Sequence, residues 1–232
     1  MKKIILNHKS YLLYDEIIKY FKELNNIKIN EYKFVLFPQL IYMSLFVDSK
    51  FDIGAQDFYS SNVGSFTGEI NLESLKSLNV KYTMISQYER CKILGEDKND
   101  TREKLYKSLN AKFNTLLCVG EDKRSSRPFY AIRNKINFYL KNVDRSKLRN
   151  LSIVYEPSYS IRNADIKDIK YLKDIIKRIK NYVKSRYGIC VDIYYAGYIS
   201  NDNFKSIINI CDGVVLGRKS SNISFINNLI KN

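Results

Sequence analysis

Residues Leu151–Ile161 read LSIVYEPSYSI. Leu151 to Tyr155 form a run suited to a buried strand, Glu156 follows, and Pro157, with no N–H and a fixed φ, stops the ladder from continuing. The run therefore delivers one carboxylate to the C-terminal end of a strand. In a parallel α/β protein that edge is where ligands bind, because its loops vary without disturbing the sheet. An isolated Glu-Pro also suits a solvated turn, so the weight of the reading falls on what surrounds it.

Downstream, Ile166, Ile169, Leu172, Ile175, Ile176, Ile179 and Val183 recur at helical spacing and mark the clearest amphipathic helix of the chain. The same strand-then-helix period repeats in both directions. Strands are expected at Lys2–Leu6, Lys33–Phe37, Phe51–Gln56, Tyr82–Ser86, Thr115–Val119, Val191–Tyr195 and Gly213–Leu216. Helices are expected at Tyr14–Leu24, Leu40–Val47, Leu72–Leu78, Arg102–Leu109 with Asp100 as N-cap, Pro128–Leu140, Asn203–Ile210 and Ile223–Ile230. Strands apolar on both faces and alternating with helices require a parallel sheet covered by those helices. Eight such units in 232 residues fit a closed (β/α)₈ TIM barrel, a single domain over 1–232, better than an open sheet.

Composition narrows the class of function. With 45% hydrophobic residues, including 12 Phe and 19 Tyr, the chain can fill a sizeable core. No apolar run is long enough to span a bilayer and the N-terminus lacks a signal-peptide core, so a cytoplasmic protein without membrane association is expected. Cys91, Cys118, Cys190 and Cys211 show no C-x-x-C spacing, and there is one histidine, so the four are read as reduced thiols and no metal site is expected. The net charge of +15 admits a nucleic acid or an anionic substrate. Its lysines, however, recur along helix faces, as at Lys167, Lys170, Lys173, Lys177, Lys180 and Lys184, without the Arg/aromatic cluster that reads bases. Solvated faces, and no nucleic-acid partner, are the expectation.

The residues at the strand ends carry a resemblance. Asn7-x-Lys9 after the first strand, Gly54-Ala55-Gln56-Asp57 with Gly64-Ser65-Phe66-Thr67-Gly68-Glu69-Ile70 after the third, and Glu89-Arg90 after the fourth resemble the triosephosphate isomerase family. Leu117-Cys118-Val119-Gly120-Glu121, Tyr155-Glu156-Pro157, Asp212-Gly213 and Leu216-Gly217 follow in the same order, so the resemblance covers nearly the whole chain. The G-A-Q and G-x-F-T-G-E-I pair is its most specific part.

That resemblance implies interconversion of dihydroxyacetone phosphate and D-glyceraldehyde 3-phosphate, a step of glycolysis and gluconeogenesis that needs no cofactor. The chemistry removes a proton from a carbon beside a carbonyl, so it requires a base, a positive charge for the enediolate oxygen and a phosphate clamp. By resemblance Glu156 is the base, Lys9 the cation, Asn7 a positioning amide, and Glu89 the partner that fixes Lys9. It also implies a homodimer in which the tip of the loop Phe58–Glu69 places Thr67 near Asn7 and Lys9 of the other subunit.

Departures from the pattern are equally specific. Where the family has a catalytic histidine this chain has Gln87, which can donate a hydrogen bond to a carbonyl but cannot shuttle a proton; a neighbouring family serine is Tyr88. His8, between Asn7 and Lys9, is expected to point away from the site because successive side chains of an extended segment alternate. The lid reads Ser158-Tyr159-Ser160-Ile161-Arg162-Asn163-Ala164, with no glycine at its tip. In the phosphate-binding turns a G-G-S becomes Ala196-Gly197-Tyr198, and Arg218 replaces a second glycine after Gly217. Arg218 and Arg162 offer guanidinium forks that either face solvent or substitute for backbone amides. The readings left open are a divergent isomerase, a barrel impaired or retuned to another small phosphorylated or carboxylated ligand, and a basic nucleic-acid binder.

Overall fold

The computed structural model describes residues 1–28, 31–123, 127–162 and 168–231, with Ile161 and Arg162 described in backbone only. Eight parallel strands close on themselves in sequence order: β1 (Lys2–Asn7), β2 (Tyr32–Phe37), β3 (Asp52–Ala55), β4 (Tyr82–Ile85), β5 (Asn114–Val119), β6 (Leu151–Tyr155), β7 (Asp192–Tyr195) and β8 (Gly213–Leu216). Closure is made by β1 against β8, with Lys3 opposite Gly213 and Leu6 opposite Leu216. This is a (β/α)₈ TIM barrel.

The period of two along each strand explains why the strands read as apolar throughout. On β1, Ile5 faces the barrel interior with Val35 and Phe37 of β2, Met84 of β4, Cys118 of β5 and Val154 of β6. Ile4 and Leu6 face outward into the larger core beneath the helices, as do Ile153 and Tyr155 of β6. Both faces are buried, so alternation with polar residues disappears.

The helices are α1 (Tyr14–Asn25), α2 (Leu72–Ser77), α3 (Lys98–Asn110), α4 (Pro128–Leu140), α5 (Ser158–Arg162), α6 (Ile169–Tyr187), α7 (Asn201–Ile210) and α8 (Ile223–Lys231). In α6 the expected stripe Leu172, Ile175, Ile176, Ile179 and Val183 is buried, each side chain contributing about 1.5–3 kcal/mol of burial. Asp168 caps its start by accepting from the Lys170 N–H, and Gly188, at φ 68°, ends it in the left-handed conformation that suits glycine. Lys170, Lys173, Lys177 and Lys184 are exposed on its outer face, and Lys180 pairs with Asp212 at 2.6 Å. Lys167 and Ile166 lie outside the described residues. Among the described residues no helix is long and apolar enough to cross a membrane.

One local expectation changes. Asp100 is not the cap of α3: Asp97 accepts from the Asn99 N–H at 2.7 Å and the helix starts at Lys98, leaving Asp100 in the first turn. The short helix expected at Leu40–Val47 is a 3₁₀ helix over Leu40–Phe46, with Met43 and Phe46 buried. The tighter 3₁₀ winding is common in short connectors of this kind. The lid segment opens as the helical turn α5, directly after Pro157.

A buried charge network braces the loops above β3 and β4. Lys104, whose side chain is 8% exposed, reaches from α3 to Asp57 at 2.7 Å and Glu96 at 2.8 Å. Arg90 contacts the same two acids, each at 2.8 Å. Burial pulls both carboxyls upward; at Glu96 hydrogen bonds from Lys104 and Arg90 outweigh it and hold the group below its usual range, while at Asp57 burial wins.

Candidate active site

The C-terminal ends of β1, β6, β7 and β8 surround a cavity of about 330 Å³. Its floor is the apolar barrel interior, through Met84, Cys118, Val154 and Val215, and its wall carries Asn7, Lys9, Glu156, Gly197, Tyr198, Gly217 and Arg218. Seven residues chosen from the sequence thus meet in one concavity.

Glu156 is delivered there by its strand. Its N–H donates to the Val119 carbonyl at 2.8 Å, extending the β5–β6 ladder by one residue before Pro157 ends it. Close approach is permitted by Gly120, where a Cβ would stand 2.0 Å from the Glu156 carbonyl oxygen. The carboxylate accepts from the Tyr88 N–H at 3.1 Å, so Tyr88 holds the acid through its backbone. Burial raises the Glu156 pKa to about 7, helped by the charge of Glu89 and opposed by the Tyr88 hydrogen bond and by Lys9. An acid poised near neutrality is suited to general base work. It also lines a second cavity of about 410 Å³, with Lys92, Lys135 and Cys91 on the far side.

Lys9 stands at φ 49°, a left-handed conformation that costs a side-chain-bearing residue of order 1–3 kcal/mol. Two neighbours hold it there: its N–H donates to Asn7 Oδ1 at 3.2 Å, and its carbonyl accepts from Gln56 Nε2 at 3.0 Å. The ammonium pairs with Glu89, which opens a single π-helical turn (Glu89–Ile93) after β4. Gly217 passes against the Lys9 stem, where a Cβ would lie 3.2 Å from Cε. His8, between Asn7 and Lys9, is fully buried on the other side against Tyr20, with ring centroids 4.7 Å apart, and burial lowers its pKa to about 3. It packs and carries no charge.

Gln87 is placed differently. It is 7% exposed, and its Nε2 donates to the Gln56 carbonyl at 3.0 Å; it lines neither cavity. Arg218 is exposed at the rim, its guanidinium 5.9 Å from the Tyr11 ring centroid. The side chain of Arg162, and residues 163–167, lie outside the described residues. Thr67 is exposed on its loop, away from the cavity of its own chain.

Sequence reading passed over Tyr11, Cys118 and Lys219, all of which line the 330 Å³ cavity. Cys118 was signalled only as one of the matching strand residues, and Lys219 had no signal among 39 basic residues.

Comparison with known proteins agrees with this geometry. The family model described as triosephosphate isomerase matches residues 2–232. A triosephosphate isomerase of Wigglesworthia glossinidia brevipalpis is 33% identical over 94% of this chain and 89% of that protein. One from Orientia tsutsugamushi (strain Boryong) is 28% identical over 98% of this chain and 96% of its own length, and one from Alkaliphilus metalliredigens (strain QYMF) is 31% identical over 74% and 73%. A closed barrel with Glu156 and Lys9 at its mouth, matched from end to end by that family model, makes the chain a member of the triosephosphate isomerase family.

Proposed function

We propose that the protein interconverts dihydroxyacetone phosphate and D-glyceraldehyde 3-phosphate through an enediolate, a cytoplasmic step of glycolysis and gluconeogenesis. The observation that supports it most is the convergence of Glu156 and Lys9 on one partly apolar cavity. Glu156 takes the proton from the carbon beside the carbonyl, the electron pair moves onto the carbonyl oxygen, and the Lys9 ammonium stabilises the charge that develops there. Reprotonation at the neighbouring carbon completes the exchange, with Glu156 carrying protons at both carbons and both oxygens because the Gln87 amide cannot give up and retake a proton. Asn7 orients Lys9, and Glu89 keeps its ammonium in place. Gly197, Tyr198, Gly217 and Arg218 face the phosphate. A coupled assay of the purified protein with each triose phosphate tests this; turnover in both directions is expected, and none in either direction overturns it.

Because the Gln87 amide is engaged with the Gln56 carbonyl, a barrel acting on another small phosphorylated or carboxylated ligand is the second reading. A binding screen of phosphosugars and carboxylates beside the assay separates the two. Under the first, Gln87 acts through Gln56, which holds the Lys9 carbonyl. Gln87→Ala then removes one hydrogen bond of about 1 kcal/mol and lowers kcat less than about tenfold. A loss of a hundredfold or more would show that Gln87 meets the substrate directly.

We further propose a homodimer in which the loop after β3 inserts beside the partner's Asn7 and Lys9. Its base is closed by the Tyr59 N–H donating to Ile70 at 2.8 Å, and Tyr59 and Phe66 pack at 5.0 Å. Yet Val63 is 71% exposed and Phe66 41%, as are Leu13 at 69% and Ile41 at 76%. Such side chains together suit an isologous contact. Sedimentation velocity at micromolar concentration is expected to show a dimer of 27.3 kDa chains, and a stable monomer would sink the assignment.

A further inference from the structure

The turn after β8 reads Gly217-Arg218-Lys219-Ser220, and its two cations are used differently. Arg218 is exposed, whereas Lys219 is half-buried and lines the cavity. The Lys219 Nζ sits 4.7 Å from the Tyr198 ring centroid and 4.8 Å from that of Phe225. It donates to the Ile199 carbonyl at 2.8 Å. An ammonium has three donors, so this bond leaves two for other acceptors. Among the described residues no carboxylate pairs with it. Burial lowers its pKa, the mark of a cation whose surroundings do not repay its lost hydration. Two aromatic faces offset part of that cost, and an anion entering the cavity would offset the rest.

Tyr198 acquires a purpose in this arrangement. Its ring supports the charged end of Lys219 across the gap between the β7 and β8 turns.

We propose that Lys219 is a substrate-binding residue that anchors the phosphate group by side-chain charge and sets the preference of the cavity for a dianionic phosphate over a monoanionic carboxylate. The inference rests on the triose phosphate reading for the identity of the substrate, but not for the binding of phosphate. The charge is fixed on a carbonyl and two rings rather than carried on a free stem, so little side-chain entropy is lost when the anion arrives. Its contribution is made equally to the ground state and the transition state, and therefore falls on KM rather than kcat.

Titration calorimetry of the full chain with inorganic phosphate and with acetate, on wild type, Lys219→Met and Lys219→Arg, tests the proposal. Methionine keeps the stem between the rings and removes the charge. Phosphate affinity is expected to fall about 10- to 100-fold in Lys219→Met, to stay within a few-fold in Lys219→Arg, and acetate affinity to change little in either. Lys219→Gln is read in the same way should the methionine variant fail to fold. Phosphate binding equal in wild type and the uncharged variants, or absent from wild type, overturns the proposal. The triose phosphate reading is judged separately. Wild type that binds phosphate through Lys219 but does not turn over either triose phosphate sinks that reading alone. Turnover with the KM for dihydroxyacetone phosphate unchanged in Lys219→Met sinks the role of Lys219 alone.

Discussion

Glu156→Gln is expected to lower kcat for dihydroxyacetone phosphate by about 10² to 10⁴, because it keeps the size of the side chain and removes only its basicity. The raised pKa adds two signatures. With Glu156 lifted to about 7 by burial and by Glu89, kcat/KM of the wild type falls as pH drops below about 7 and levels off above it. Stability runs the other way. Between the ordinary value of 4.5 and about 7 the unfolded chain has released the proton while the folded chain still holds it. Folding therefore loses stability as pH rises through that window and changes no further above it. Glu156→Gln has no such loss, so its thermal midpoint should match wild type near pH 4.5 and exceed it at pH 8. A variant that is equally stable but retains full turnover would place the base elsewhere.

Lys104→Met is the second large effect, and it falls on stability. Removing the ammonium leaves Asp57 and Glu96 facing each other with Arg90 as their remaining shared cation. Breaking a buried pair from one side typically costs about 3–5 kcal/mol, because the partner charge stays buried without compensation. For a chain of this size each kcal/mol shifts the midpoint by roughly 2–4 °C. A fall of roughly 6–20 °C is therefore expected in calorimetry. A fall of less than about 3 °C would mean that Arg90 alone satisfies both acids. Because Arg90 of the network adjoins Glu89 in the turn after β4, a loss of affinity for substrate is expected to accompany it.

What could be read from the chain divides along a physical line. The barrel was legible because most strand residues are buried on both faces, so Leu151–Tyr155 and its counterparts appear as mainly apolar runs without polar alternation. Glu156 was legible as a carboxylate just past a strand that Pro157 ends, and Asn7 and Lys9 through the resemblance of the strand-end motifs; all three line the 330 Å³ cavity. Helix starts were less so: Asp97 and Asp100 are equally good caps in sequence, and only the hydrogen bond from Asn99 distinguishes them. Contacts between loops were legible only where the resemblance supplied them, as for Lys9 with Glu89. Nothing in the sequence shows the Gln87 amide meeting the Gln56 carbonyl, since the residues are 31 apart and the bond is to backbone. Nor does it show Lys219 seated between Tyr198 and Phe225, because a lysine that follows an arginine looks like one more solvated charge.

The most direct measurement is deuterium incorporation into dihydroxyacetone phosphate and its product, followed by NMR in D₂O with wild type and Glu156→Gln. If Glu156 abstracts the carbon-bound proton, the wild type introduces deuterium at the carbon beside the carbonyl and in the product, and the folded Glu156→Gln protein introduces it no faster than buffer. A folded wild type that leaves both carbons fully protonated, or a glutamine variant that exchanges as fast as wild type, would contradict it.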